Sequence, residues 1–447
     1  MKQKLDNYTY LTSGPIHHVI GTMAVPTIIS MLITSLYNIA DTFFVGKIDT
    51  QSTASVGVVF SIMFLIQAVS FFFGNGSGNY ISRELGAKHR RNAEAMASTA
   101  FVYAISFGIL IMVVGELFLT PLSVFLGSTP TILPYTERYL GIILLGAPLL
   151  TGSLCINNQM RFQGNAKFAM YGIITGAVLN VFLDPVFIFG FNLGVSGAAI
   201  ATVIGQLFSF LILLRMSRMG ENIRYHLGNF SGRLIYIKEI IAGGTPSISR
   251  QGLASLATIA LNLAAGHYGD AAIAAMSIVN RITMFIYAVI VGLGQGFQPL
   301  CGFCYGARLY SRVKSGYWFC VRVGTIFLSV CAILGYVFSS SAIAIFRDDP
   351  KVIEIGISVL RYQLMTYPLG AFLIASNMMM QTIRKPWRAN ILAAARQGLF
   401  FIPLVVILPH FYGLLGVEIC QAVSDCMAFA VTIPIAYSAF LDMRVGQ

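Results

Sequence analysis

Two aspartates within apolar stretches are the residues of this sequence best suited to do chemistry. Asp41 lies in the segment LYNIADTFFVG, and Asp184 lies in a second apolar stretch further along the chain. Tyr37 precedes Asp41 by four residues and Asn180 precedes Asp184 by the same interval, so each pair shares one face of a helix. A charged group at bilayer depth costs about 2.5–3.5 kcal/mol, so each carboxylate must be stabilised there or must serve a function.

The depth of these residues predicts that they meet. Each aspartate lies near the extracellular end of a helix that runs from the cytoplasm outward. A short extracellular turn follows the second helix, and the next helix returns so that Thr202 lies at about the same depth. We therefore expect one polar cluster in the outer half of the amino-terminal six-helix lobe, residues 1–215, made of Tyr37, Asp41, Asn180, Asp184 and Thr202. Two carboxylates so close in a medium of low dielectric constant cannot both ionise cheaply, so at least one holds a proton or shares a cation.

The cluster predicts an ion site with two candidate occupants. A proton would be carried by Asp41 or Asp184. Its hydrogen-bond partners would be Asn180, Tyr37 and Thr202. A sodium ion would instead be bound by the oxygen atoms of Asp41, Asn180, Asp184 and Thr202, and no other metal site is indicated. A structural alternative stays open, in which each aspartate only bonds backbone groups freed at the proline that follows Asp184.

The elements that must position this cluster are membrane-spanning helices. Of the 447 residues, 56% are hydrophobic and only 10% are charged, whereas soluble domains carry about 25% charged residues. Apolar segments long enough to cross a hydrocarbon core of about 30 Å recur about twelve times. The predicted spans are 18–45, 54–80, 97–119, 136–160, 168–191, 196–215, 239–265, 272–300, 317–346, 353–380, 389–409 and 415–440. The predicted class is an all-α, multi-pass protein of the cell membrane.

The charges predict the orientation of the chain. The net charge is +12, but most Lys and Arg residues fall in segments that are internal if the amino terminus is inside. The predicted outer segments hold only Lys47, Arg347 and Lys351. This asymmetry predicts that both termini are cytoplasmic, and it makes the basic balance a topology signal rather than a sign of nucleic-acid binding. No cleavage site follows a short apolar region, so the first span is expected to be retained.

An internal repeat divides the chain. At an offset of 220 residues Pro26 aligns with Pro246, and GNGSGNYISRELGAK aligns with GQGFQPLCGFCYGAR. We expect two six-helix lobes, 1–215 and 239–447, joined by a basic cytoplasmic linker, 216–238. An even number of spans gives both lobes the same orientation, which is the parallel-repeat design of secondary transporters.

The repeat also shows that the acids are confined to the first lobe. The position equivalent to Asp41 is Leu261, and the position equivalent to Asp184 is Pro403 or Leu404. The coupling-ion site is therefore expected in the first lobe alone.

The sequence resembles the multidrug and toxic compound extrusion (MATE) transporters, in particular the bacterial drug-efflux branch. The resemblance rests on PTIISMLITSLYNIADTFFVG, on GNGSGNYISRELGAK and on LNVFLDPVFIFGFNLGVSGAAIATVIGQ, and it covers essentially the whole chain. It implies twelve helices in two bundles, antiport coupled to H⁺ or Na⁺, and export of amphipathic, often cationic compounds by alternating access. It also implies no enzymatic activity and no cofactor besides the coupling ion.

The same likeness points to a substrate cavity. Its first-lobe wall would contain Tyr37, Tyr139, Asn157 and Asn158, with Tyr287 on the opposite wall, because aromatic faces attract organic cations. Packing or lipid contact is an equally weighted alternative for these residues. Some MATE transporters have a cation site in the second half that uses a glutamate on the seventh span. This sequence has no acid in the middle of that span, TPSISRQGLAS, so a second-lobe cation site is not expected here.

The sequence also bears on other functions. A flippase or exporter of lipid-linked metabolites with a related two-lobe fold stays the alternative, although acids in the first lobe favour cationic cargo. A membrane enzyme is disfavoured because no H-E-x-x-H or nucleophile-elbow motif is present. Arg281, Arg396 and Asp425 are expected to pair structurally within the membrane. A monomer in the lipid bilayer is expected to be functional, with small molecules as its partners.

Overall fold

The regular structure of this protein is helical. The computed structural model describes residues 6–346 and 349–445, and those ranges contain no β-strand. The predicted all-α class is confirmed. The long helices are built from apolar runs, and several helices end at a glycine or a proline, such as α3 at Gly86, α8 at Pro185 and α10 at Gly266.

The first half of the chain supplies nine α-helices. They are α1 (Asn7–Ser13), α2 (Ile16–Val45), α3 (Thr50–Gly86), α4 (Arg90–Leu117), α5 (Leu119–Phe125), α6 (Leu133–Leu145), α7 (Ala147–Phe162), α8 (Ala166–Pro185) and α9 (Val195–Ser217). A π-helical turn, Val186–Gly190, continues α8, and a 3₁₀ turn, Leu227–Asn229, follows α9.

The second half supplies eight more. They are α10 (Leu234–Gly266), α11 (Asp270–Gly306), α12 (Tyr310–Val337), α13 (Ser339–Ala344), α14 (Pro350–Thr382), α15 (Pro386–Ala394), α16 (Phe401–Tyr412) and α17 (Leu414–Val445). A π-helical turn, Ala395–Leu399, joins α15 to α16.

Many of these helices can cross a bilayer. Within the described residues, nine helical segments are long and apolar enough, and the bent pair α6 and α7 makes a tenth. The remaining long helices, α10 and α14, have 33 residues each, about 50 Å at 1.5 Å per residue. They complete the predicted set of twelve spans, and that count stays a prediction.

The predicted span 136–160 is not one straight helix. Its two parts, α6 and α7, meet at Gly146 with a bend of 47°. Pro148 lies in the first turn of α7, and a proline there cannot donate to, and clashes with, the carbonyl four residues earlier. The helix therefore restarts at this point.

The chain packs as two compact units. Unit 1 contains residues 6–11 and Ile29–Gly244, and unit 2 contains Thr12–Ile28 and the described residues from Thr245 onward. These units differ from the predicted lobes in two places. The first half of α2 packs in unit 2, and the predicted linker, with the start of α10, packs in unit 1.

Glycines explain why the start of α10 packs in unit 1 and the first half of α2 packs in unit 2. A Cβ atom at Gly76 of α3 would lie 2.4 Å from the carbonyl oxygen of Ile240 on α10, so only glycine allows this backbone contact within unit 1. A Cβ atom at Gly296 of α11 would lie 2.5 Å from the Cα of Ala24 on α2, within unit 2. Gly76 and Gly296 are 220 residues apart, the offset of the repeat.

The predicted linker 216–238 is held against unit 1. The hydroxyl of Tyr225 donates to Oε1 of Gln159 at 2.7 Å. The backbone N–H of Ile223 donates to Oε1 of Gln163, also at 2.7 Å. The polar segment therefore packs on α7 rather than spanning free space.

Candidate functional site

The predicted acids lie in a buried polar pocket of unit 1. Asp41 on α2 has 5% of its surface exposed, and Asp184 on α8 is fully buried. The two carboxylates are close enough to interact electrostatically. The structure therefore brings together the two acids that the sequence placed at matching depth.

A close contact between α8 and α9 forms one wall of this pocket. A Cβ atom at Gly205 of α9 would lie 2.8 Å from the carbonyl oxygen of Gly176 on α8. Because these glycines let the two backbones approach, Nδ2 of Asn180 donates a hydrogen bond to Oγ1 of Thr202 at 3.2 Å. Both side chains are buried, so Asn180 and Thr202 join the pocket as predicted by their spacing.

Two tyrosines complete the pocket. Tyr37 lies one turn before Asp41 on α2 and interacts electrostatically with both carboxylates. Tyr139 on α6 is 1% exposed, lies within hydrogen-bonding reach of Thr202 and also interacts with both acids. Tyr139 packs in the apolar cluster beside the pocket, which fixes the ring.

Several oxygen atoms in this pocket have no hydrogen-bond partner among the described residues. They are Oδ1 of Asp41, both carboxylate oxygens of Asp184 and Oδ1 of Asn180. Buried polar atoms are normally paired, and unpaired ones point to strain or to a role with another partner. The pocket thus presents acceptor oxygens that a proton or a small cation would satisfy.

Gln206 is a polar residue of α9, one turn beyond Thr202, that was not among the predicted site residues. Its Oε1 is buried with no hydrogen-bond partner among the described side chains and backbone. Its side chain lies against Gly146 at the bend between α6 and α7. The interval of four residues from Thr202 was the signal that could have identified it.

Asn157 and Asn158, two further residues of the predicted cavity, form hydrogen bonds within unit 1. Asn157 donates to the carbonyl of Ala169 at 2.9 Å. Oδ1 of Asn158 accepts from Arg161 at 2.7 Å. Tyr287 belongs to unit 2. Of the four predicted cavity residues in unit 1, Tyr37 and Tyr139 join the acidic pocket.

The equivalent positions of unit 2 are apolar. Leu261 on α10 and Leu404 on α16 pack against one cluster of buried hydrophobic residues around Phe401 and Val405. The repeat thus brings the equivalents of Asp41 and Asp184 to a common place, but without acids. Across residues 6–346 and 349–445, no three His, Cys, Asp or Glu side chains form a metal-ligand group.

Comparison with known proteins gives consistent relatives. The MatE family model matches residues 26–186 and 246–407. These two matches begin 220 residues apart, the offset at which the sequence aligns with itself. The chain is 25% identical over 433 residues to Multidrug export protein MepA of Staphylococcus aureus (strain MRSA252), covering 96% of this chain and 95% of that protein. It is 26% identical over 431 residues to the protein of that name from Staphylococcus haemolyticus (strain JCSC1435), with the same coverage.

Solved structures share the fold. A multidrug resistance MATE family transporter of the MOP superfamily, in an outward-facing conformation, superposes with a TM-score of 0.92 and 24% identity. The superposition covers 99% of this chain and 100% of that one. A MOP superfamily transporter from Pyrococcus furiosus, described as having a binding pocket of reverse polarity, gives the same TM-score, identity and coverage.

Proposed function

Because this chain belongs to the MatE family of multi-pass membrane transporters, we propose that it is a secondary active exporter of amphipathic, often cationic organic compounds. Export would be driven by antiport of H⁺ or Na⁺. The observation that carries this proposal is the pair of buried acids, Asp41 and Asp184, whose oxygens lack partners among the described residues. The names of the relatives, as multidrug export proteins, support the choice of cargo.

The pocket suits an ion that must bind and leave. Two carboxylates in a medium of low dielectric constant favour uptake of one positive charge, as a proton or as a cation shared between them. Loss of that charge leaves two negative groups together and favours a different arrangement of α2 and α8. Thr202, Asn180 and Tyr139 supply neutral polar groups beside the acids, and Asn180 and Thr202 are held by their own hydrogen bond.

Coupling then follows from linkage. The ion shifts the conformational equilibrium only by the difference in its affinity for the two states, and the same condition holds for the substrate. An organic cation that binds best while the acids are ionised is released when the ion neutralises them. Inward and outward states would thus alternate with ion binding, as in other parallel-repeat transporters.

The direction of export requires a defined topology. We infer that both termini are cytoplasmic, because the Lys and Arg residues concentrate in the segments on that side. The protein would act as a monomer in the cell membrane, since the acidic pocket is formed by residues of unit 1 alone.

The test is efflux of a cationic dye from vesicles that contain the purified protein. A pH gradient and a sodium gradient are imposed one at a time. We expect one of them to drive efflux in the wild type, and Asp41→Asn and Asp184→Asn to reduce it to the rate of vesicles without protein. Full gradient-driven efflux in both variants would refute the role of the pair, and no response to either gradient would remove antiport.

Asp49→Asn is the matched control. Asp49 is the N-cap of α3 and accepts a hydrogen bond from the backbone N–H of Ser52 at 2.6 Å. Asparagine caps helices as well as aspartate, so this change removes an acid of unit 1 without loss of the cap. We expect its efflux rate to stay within about twofold of the wild type.

A further inference from the structure

A second polar cluster lies in unit 2, away from any assigned role. Nε of Arg396 donates to Oδ1 of Asp425 at 2.7 Å. Gln421 donates to the same oxygen at 2.8 Å, and Thr366 donates to the other at 3.2 Å. Asp425 is 1% exposed, so its carboxylate is buried and fully engaged by three donors.

Arg396 is held in one orientation. Its guanidinium lies over the ring of Tyr287, 4.1 Å from the ring centroid, a cation–π geometry. Its backbone carbonyl accepts from Oγ of Ser424 at 2.5 Å. The residue also lies in the π-helical turn Ala395–Leu399, a type of irregularity common at functional sites.

The guanidinium is only partly used by these contacts. Its terminal nitrogens make no hydrogen bond to any residue in the described ranges, and 21% of the side chain is exposed, against 1% for Asp425. The hydroxyl of Tyr287 is buried and also has no hydrogen-bond partner among the described residues. An arginine has five N–H donors in a planar fork, so at least four of them are available here.

The geometry of this ion pair leaves the terminal nitrogens of the guanidinium without a carboxylate partner in the described part of the chain. Arginine and carboxylate groups frequently meet through two parallel hydrogen bonds. Here Asp425 takes the inner Nε, and two neutral side chains complete its shell. The terminal nitrogens of Arg396 thus have no hydrogen-bond partner among the described residues, and the side chain is partly exposed beside an aromatic ring.

We propose that Arg396 and Tyr287 form a substrate-recognition site that binds a carboxylate or another anionic oxygen group of an aromatic amphipathic compound. The terminal nitrogens of Arg396 would donate to the anionic group, while Asp425 holds the arginine in place. The site extends the cargo from organic cations to zwitterions. That cargo assignment rests on the proposed export function.

The test compares two dyes that differ in one group. A fluorescent xanthene dye with a free carboxylate and its methyl ester are titrated onto the purified protein in detergent, with no gradient present. In Arg396→Gln we expect the affinity for the acid to fall about tenfold or more, the effect of losing one charge-assisted hydrogen bond. The affinity for the ester should change less than about twofold.

A second variant guards against misfolding. Arg396→Gln alone leaves Asp425 without its cation, and an unpaired buried charge is strongly destabilising. The double variant Arg396→Gln/Asp425→Asn removes both charges and is measured in parallel. It should show the same selective loss of affinity for the acid.

The matched control is Arg361→Gln. The guanidinium carbon of Arg361 also lies over a tyrosine ring, 4.6 Å from the centroid of Tyr336. Its Nε donates to Oγ of Ser339 at 3.2 Å. This variant should leave the ratio of acid to ester affinity unchanged.

Three results would overturn the proposal. They are no acid binding by the wild type, equal changes for acid and ester in the double variant, and no change for either dye. Binding is measured without a gradient, so it is independent of ion coupling. A failure of ion-driven efflux would refute the coupling mechanism, whereas the ratio of acid to ester affinity tests the Arg396 site separately.

Discussion

The same substitution should have opposite effects on stability in the two polar clusters. Asp184 is fully buried, and neither of its carboxylate oxygens has a hydrogen-bond partner among the described residues. Asp425 is equally buried but receives hydrogen bonds from Arg396, Gln421 and Thr366. Aspartate to asparagine therefore replaces an unpaired carboxylate by a neutral amide in one case and breaks an ion pair in the other.

The magnitudes follow from these contacts. Breaking a buried ion pair from one side costs about 3–5 kcal/mol, and Asp425→Asn should lie near the lower end, about 3 kcal/mol, because the arginine retains access to solvent. Replacing a buried, unpaired carboxylate by a neutral amide relieves its desolvation. We expect Asp184→Asn to leave the free energy of unfolding unchanged or to raise it by up to about 1 kcal/mol.

Buried cysteines provide the assay. Cys155 of unit 1 and Cys320 of unit 2 are both buried and free, so a thiol-reactive dye reports unfolding of the purified protein on heating. Asp425→Asn should unfold several degrees below the wild type, and Asp184→Asn at or above it. If Asp184→Asn unfolded as early as Asp425→Asn, Asp184 would be a stabilising residue and the argument from its missing partners would be refuted.

Two further predictions concern the packing of unit 1. Gly76→Ala should lower the stability by about 2 kcal/mol, because the new Cβ overlaps the backbone of Ile240. The control Gly57→Ala, on the same helix with no atom within 4 Å, should not lower it, and equal melting temperatures would contradict the close contact. Tyr225→Phe removes the hydrogen bond to Gln159, which contributes about 1 kcal/mol to stability. The variant should therefore be cleaved faster by trypsin within the segment 216–238. Unchanged cleavage would argue against a linker packed on α7.

Helical periodicity accounts for the part of the site that the sequence predicted. The interval of four residues placed Tyr37 beside Asp41 and Asn180 beside Asp184. The lengths of the spans then placed Thr202 at the same depth. These are local properties of the chain, and the structure brings all five residues to one pocket.

Contacts that depend on helix rotation were beyond the sequence. Arg396 and Asp425 were expected to pair structurally, but spacing along one helix does not tell which charged residue faces which partner. The hydrogen bond between these two emerged only from the packing of the π-helical turn on α17. Asn157 was placed in a cavity by likeness alone, and its hydrogen bond to the carbonyl of Ala169 was likewise not visible in the sequence.

The packing of the first half of α2 in unit 2 and of the start of α10 in unit 1 could not be predicted for a related reason. The repeat showed where each half begins, but Gly76 and Gly296 read as ordinary glycines of apolar helices. Only the packed structure shows that the backbone of Ile240 or Ala24 lies against them.

That exchange has a consequence for the order in which the protein is made. Unit 1 is complete once Gly244 has been synthesised, because all its residues precede that point. The first half of α2, which includes Ala24, packs against α11 and so must wait until Gly296 has left the ribosome. Domains generally fold as units from the amino terminus. The first half of α2 is thus made early but reaches its final packing only after α11 has been made, so a chain that stalls before α11 leaves this half-helix without its partner.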